Sequence, residues 1–140
     1  MEDKVLMRRL RAMMCEVENE KRGMTLDEMR RLHGVRLPRW LYRLIRELLG
    51  GYHERERYLR GKSTSDEVRV EYERINRAID DVVEVVCFGY GSDVAKTIRE
   101  DMIAGHGWRS SGMSAIFGER TFYRLKKQCY LYLAAKLYLI

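Results

Sequence analysis

Six apolar residues in the middle of the chain, Val68, Tyr72, Ile75, Ile79, Val82 and Val86, step by four, three, four, three and four positions. An α-helix turns once in about 3.6 residues, so this spacing lays all six along one stripe, whereas a strand would scatter them over two faces. The pattern predicts a helix about three heptads long. Asp66 and Glu67 suit its start, because carboxylates are favoured at the positive end of the helix dipole. Such a stripe must be covered. Either other helices of the chain cover it, as a core, or a second copy does, as the seam of a homodimer.

The rest of the chain predicts more helices and no strands. Helix formers dominate, and Pro38 is the one proline in 140 residues, too few for the turns of an all-β fold. A first helix is expected from about Asp3 to Lys21, with Leu6, Leu10, Met13 and Val17 on one face. Thr25 and Glu28 have the spacing of a capping box for a short second helix that ends at Gly34. Pro38 suits the first turn of the next helix, whose stripe is Trp40, Leu41, Leu44, Ile45, Leu48 and Leu49. Gly50-Gly51 should break or bend it, and the polar run Tyr52 to Arg60 then adds a turn or two of exposed helix. Residues 61–65 read as a linker. After the central helix, Cys87 to Gly91 form a stop, and Ser92 or Asp93 caps a helix that runs to Gly105.

Charge divides the sequence into three parts. Residues 1–62 hold 16 basic and 10 acidic residues, 63–104 hold 5 and 10, and 105–140 hold 6 and 1. This suggests a basic helical N-terminal region, an acidic helical region and a basic C-terminal unit. Basic segments can neutralise phosphate and release counterions. There is no apolar run of the roughly 18 residues that a membrane span needs, and no apolar leader follows the first methionine. A cytoplasmic protein is expected, with Cys15, Cys87 and Cys129 as buried thiols in a reducing compartment.

The C-terminal unit carries the functional expectation, a helix-turn-helix. A short helix over about 109–115 and a turn near Phe117-Gly118 precede a long helix from Glu119 to about Leu137. Phe122, Leu125, Cys129, Leu133 and Leu137 build an inward face. Glu119, Arg120, Tyr123, Arg124, Lys127 and Gln128 fall on the other. A recognition helix needs these two unlike faces, one packed on the domain and one turned to the major groove. Near the start of the helix, Arg120 and Tyr123 are placed to read bases. Arginine bonds guanine O6 and N7 together, and Glu119 can accept from a cytosine amino group. Arg109, Ser110, Thr121, Arg124, Lys126 and Lys127 suit backbone phosphates.

The segment GERTFYRLKKQCYLYLAAKL resembles the recognition helix of phage transcriptional regulators of the ArpU and RinA type, which are similar to region four of sigma factors. In that family a tryptophan opens the first helix, a cap follows ten residues later, and an Arg-Thr and Tyr-Arg pattern comes next. Trp108, Gly118 and the run Arg120-Thr121-Phe122-Tyr123-Arg124 match it. Ser111-Gly112, Ala115 and Gly118 depart from it, and these leave the first helix short, irregular or shifted upstream into 93–105. The resemblance implies a double-stranded DNA-binding regulator of phage, prophage or mobile-element genes, with host RNA polymerase as a further partner. A phage DNA-packaging adaptor of the small terminase kind and a helical protein-interaction module are the alternatives.

No enzyme, cofactor or metal site is expected. Gly61-Lys62-Ser63-Thr64 lacks the glycine five residues before the Gly-Lys pair that a phosphate-binding loop requires, since that position is Glu56. His33, His53 and His106 are scattered without zinc-ligand spacing. Asp80-Asp81 and Glu100-Asp101 are helix neighbours about 100° apart, so neither pair converges on one point.

Overall fold

The computed structural model describes residues 30–32, 34–61, 66–110, 118–137 and 139. The helix expected over 3–21, the capping box at Thr25 and Glu28, Cys15 and residues 62–65 of the linker expected over 61–65 lie outside these residues. Every regular element among them is helical: α1 (Arg39–Gly50), α2 (Tyr52–Arg60), α3 (Asp66–Val86), α4 (Ser92–Ala104), a single 3-10 turn (Trp108–Ser110) and α5 (Glu119–Lys136). The protein is all-α, as its periodicity predicts.

Pro38 sits at the N-cap of α1, and its carbonyl accepts from the N–H groups of Leu41 and Tyr42 at 3.1 and 3.0 Å. Leu41, Ile45 and Leu49, each four residues on, are the buried line of α1. Gly51 separates α1 from α2, at φ −87°, which any residue can adopt. Its need for glycine is steric. A Cβ there would lie 2.7 Å from Nη1 of Arg55, closer than side-chain atoms approach.

That approach exposes an error in the expectation for α2. The run Tyr52 to Arg60 is polar, yet Tyr52 and Arg55 are buried. Arg55 Nε donates to Asn76 Oδ1 of α3 at 2.7 Å, and its Nη2 donates to the carbonyl of Leu48. Asn76 in turn donates from Nδ2 to the carbonyl of Tyr52 at 3.1 Å. The Tyr52 hydroxyl donates to Asp80 at 2.8 Å, and Arg99 of α4 reaches the same carboxylate at 3.0 Å. A buried cation is tolerable only when its N–H groups are satisfied, and here Leu48 of α1 and Asn76 of α3 supply acceptors.

The stripe on α3 is spent inside the chain. Ile75, Ile79, Val82 and Val86 are buried, and Tyr72 and Val68 are half-buried, with the Tyr72 ring edge-on to Tyr58 at 5.0 Å. The stripe is covered by α2, α4 and α5, while α1 packs on α4 and α5. The face that the sequence offered for a homodimer is thus used as core. Leu41, Ile45 and Leu49 of α1, Ile79 and Val82 of α3, and Phe122, Leu125, Cys129 and Leu133 of α5 belong to one continuous cluster. Each such aliphatic or aromatic side chain contributes about 1.5–3 kcal/mol by leaving water.

Turns follow the glycines. Gly89 and Gly91 lie at φ 92° and 98° between α3 and α4, and Gly105 closes α4 at φ 74° in the left-handed region. Cys87 and Cys129 are buried free thiols, and burial alone raises Cys87 to about 11.

One surface contact ties α2 to α4. His53 Nε2 lies 2.9 Å from Glu100 and its Nδ1 lies 3.5 Å from Glu56. The hydrogen bond to Glu100 raises the imidazole above its usual range, and Glu56 adds to this. A raised value means that the contact stabilises most below the unfolded histidine value, about 6.5, and fades as pH climbs through the folded value. A proton NMR titration of His53 is expected to show a midpoint above that of free histidine, and Glu100→Gln should bring it back. An unchanged midpoint in the variant would show that Glu100 is not the cause.

Candidate nucleic-acid interface

α5 divides cleanly into two faces. Phe122, Leu125, Cys129, Leu133 and Leu137, the expected inward set, are all buried, and Tyr130, Leu131 and Ala134 join them in the second half of the helix. Glu119, Arg120, Tyr123, Arg124 and Lys127 are exposed, and Thr121, Lys126 and Gln128 are half-buried. The burial of Tyr130 and Leu131 confines the open surface to the first half of α5. Arg120, Arg124 and Lys127, spaced by four and three, line up along it.

Gly118 precedes the helix in an extended conformation, and no side chain caps the first amides. The first turn carries Glu119 as its acid.

Tyr123 has a second role. Its ring is 44% exposed, yet its hydroxyl accepts from the Trp108 N–H at 3.4 Å and lies beside Gly107. It therefore hooks the 3-10 turn onto α5. Arg109, on that turn, is exposed. The helix expected over 109–115 is described only as far as this turn, and the side chain of Ser110 lies outside the described residues.

The structure adds one cation that the sequence did not place. Arg46 of α1 has Nη2 next to Gly105, 3.7 Å from where a Cβ would stand, and its charge acts on Lys126, Tyr42 and Tyr130. It thus joins the basic surface of α5 from a neighbouring helix. Its sequence signal was only that Arg39, Arg43 and Arg46 flank the apolar stripe of α1. Lys126 differs from its neighbours. Burial, and then the nearby Arg46 charge, push its ammonium below the usual lysine range, against the pull of Asp101. Its Nζ lies 5.9 Å from the centre of the Tyr130 ring.

The carboxylate pairs elsewhere are held in structural contacts. Asp80 pairs with Tyr52 and Arg99, and Asp81 lies 3.7 Å from Lys136 at the end of α5. Asp101 is buried and lies 3.4 Å from His106 Nδ1. Among the described residues no helix is long and apolar enough to cross a membrane, and no cluster of three or more His, Cys, Asp or Glu could hold a metal ion. The first half of α5 presents a basic and aromatic outer surface, with Arg46 beside it. Comparison with protein families, with curated proteins and with solved structures found no match to this chain.

Proposed function

We propose that the chain is a sequence-specific double-stranded DNA-binding transcriptional regulator of phage, prophage or mobile-element genes. One observation carries this reading. The first half of α5 buries Phe122 and Leu125 while Arg120, Tyr123 and Arg124 stand exposed on its other side. A helix held rigidly from behind, with guanidinium and phenol groups in front, has the form that major-groove readout uses. In this reading Arg120 and Tyr123, with Glu119, meet base edges. Arg109, Ser110, Thr121, Arg124, Lys126 and Lys127 meet phosphates, and Arg46 extends that contact from α1. Binding alone is the mechanism: phosphate contacts set the register and a few side chains select the site.

Capture of genomic fragments on the purified protein, followed by sequencing, is expected to enrich one recurring duplex site. On that site Arg120→Ala should cost about 1–3 kcal/mol and relax the preference at one base position. Lys127→Ala should weaken binding to every duplex and lower the slope of log affinity against log salt by about one. Failure to bind any duplex at low salt would remove the proposal.

A further inference from the structure

Beside the exposed half of α5 lies a groove of about 320 Å³ between α1 and α5. Val35, Leu37 and Leu131 give it apolar walls, and Tyr42, Tyr123 and Tyr130 give it aromatic ones. The Tyr42 and Tyr130 rings meet edge to face at 4.4 Å. Lys126 and Lys127 also line the groove, with Arg46 next to Lys126. We infer that this groove is a binding site for a small aromatic carboxylate, and that its occupant competes with DNA for α5.

Three features fix the chemical class. The volume falls at the lower end of small-molecule sites, roughly 300–1,000 Å³, which are mainly apolar with a few converging polar groups. Rings of three tyrosines suit a flat aromatic body, which gains from edge-to-face and offset packing. The charge balance then selects an anion. Lys126 is half-buried among apolar groups with Arg46 close by, so its ammonium is held at a cost that Asp101 only partly offsets. A carboxylate seated at Lys126 would relieve that cost, and a neutral molecule would not. A cationic ligand would add to it.

The competition rests on the proposed function, whereas the site does not. Tyr123, Lys126 and Lys127 line the groove and are also proposed to meet DNA. An aromatic carboxylate resting on them would neutralise one lysine and fill the space in front of Tyr123.

The test uses 2-naphthoate and its neutral counterpart 2-naphthamide with the full-length protein. Calorimetric titration without DNA should show saturable binding of 2-naphthoate at one site, at least tenfold tighter than 2-naphthamide. Lys126→Gln, with folding checked by circular dichroism, should weaken naphthoate at least tenfold, while Lys96→Gln on α4 should not. In a second arm, 2-naphthoate should displace a fluorescent duplex in proportion to its occupancy. No saturable binding, equal affinity for the two probes, or indifference to Lys126→Gln would overturn the site. Naphthoate binding without effect on a bound duplex would overturn the competition. Naphthoate binding by a protein that binds no duplex would leave the site standing and sink the DNA reading instead.

Discussion

Phe122→Ala is expected to lower the stability of the folded chain by about 3–5 kcal/mol, as large-to-small changes at fully buried aromatic positions do. Phe122 is 1% exposed and sits in the central cluster with Leu125 and Cys129. Its removal deletes apolar contact and leaves a cavity that the surrounding helices can close only in part. Domains of this size are stable by only about 5–15 kcal/mol, so the variant should melt far below the parent in a thermal scan. The adjacent substitution, Tyr123→Ala, provides the contrast. That ring is 44% exposed and gives up an edge contact with Phe122 and one long hydrogen bond to Trp108, so the melting temperature should fall much less. In the proposed function Tyr123→Ala should instead reduce DNA affinity while the protein remains folded. If Phe122→Ala left the melting temperature unchanged, the assignment of the inner face of α5 would be wrong.

The second large effect is expected at Asn76. Asn76→Ala strips Arg55 Nε of its acceptor and the Tyr52 carbonyl of its donor in one step. A buried donor left without a partner costs about 1–3 kcal/mol, and more when it is charged, so a loss of about 2–4 kcal/mol should be measured in urea unfolding. The decisive comparison is the double variant Arg55→Met with Asn76→Leu. Exchanging the whole polar pair for apolar groups of similar size can be nearly neutral, because no charge is then left buried and unpaired. The double variant should therefore be more stable than Asn76→Ala. A double variant that is less stable than Asn76→Ala would mean that the junction is valued for packing and not for its hydrogen bonds.

The helices were legible in the sequence because each carries a local signal. The four-three spacing of Ile75, Ile79, Val82 and Val86 specifies both helix and buried face, and the same logic works for Leu41, Ile45 and Leu49 and for Phe122, Leu125, Cys129 and Leu133. Pro38, Gly51, Gly91 and Gly105 punctuate the elements, and at Gly91 and Gly105 a positive φ demands glycine. Arg55 was not legible. An arginine flanked by His53, Glu54, Glu56, Arg57 and Arg60 reads as solvated, and its burial depends on an asparagine twenty-one residues away on another helix. Nor was the covering of the α3 stripe, because periodicity states that a face is buried but not by what. Arg46 belongs with α5 only through the packing of α1 against α4 and α5, which no short-range pattern encodes.

The place of α5 has a further consequence. Its inner residues lie among side chains from α1, α3 and α4, and Lys136 fastens its far end to Asp81. A helix seated in this way cannot be lifted out as a portable cassette. Transplanted alone, it would carry an oily flank with nothing to shelter it, and any change that slackens the central bundle would also blur the surface that α5 shows to the outside.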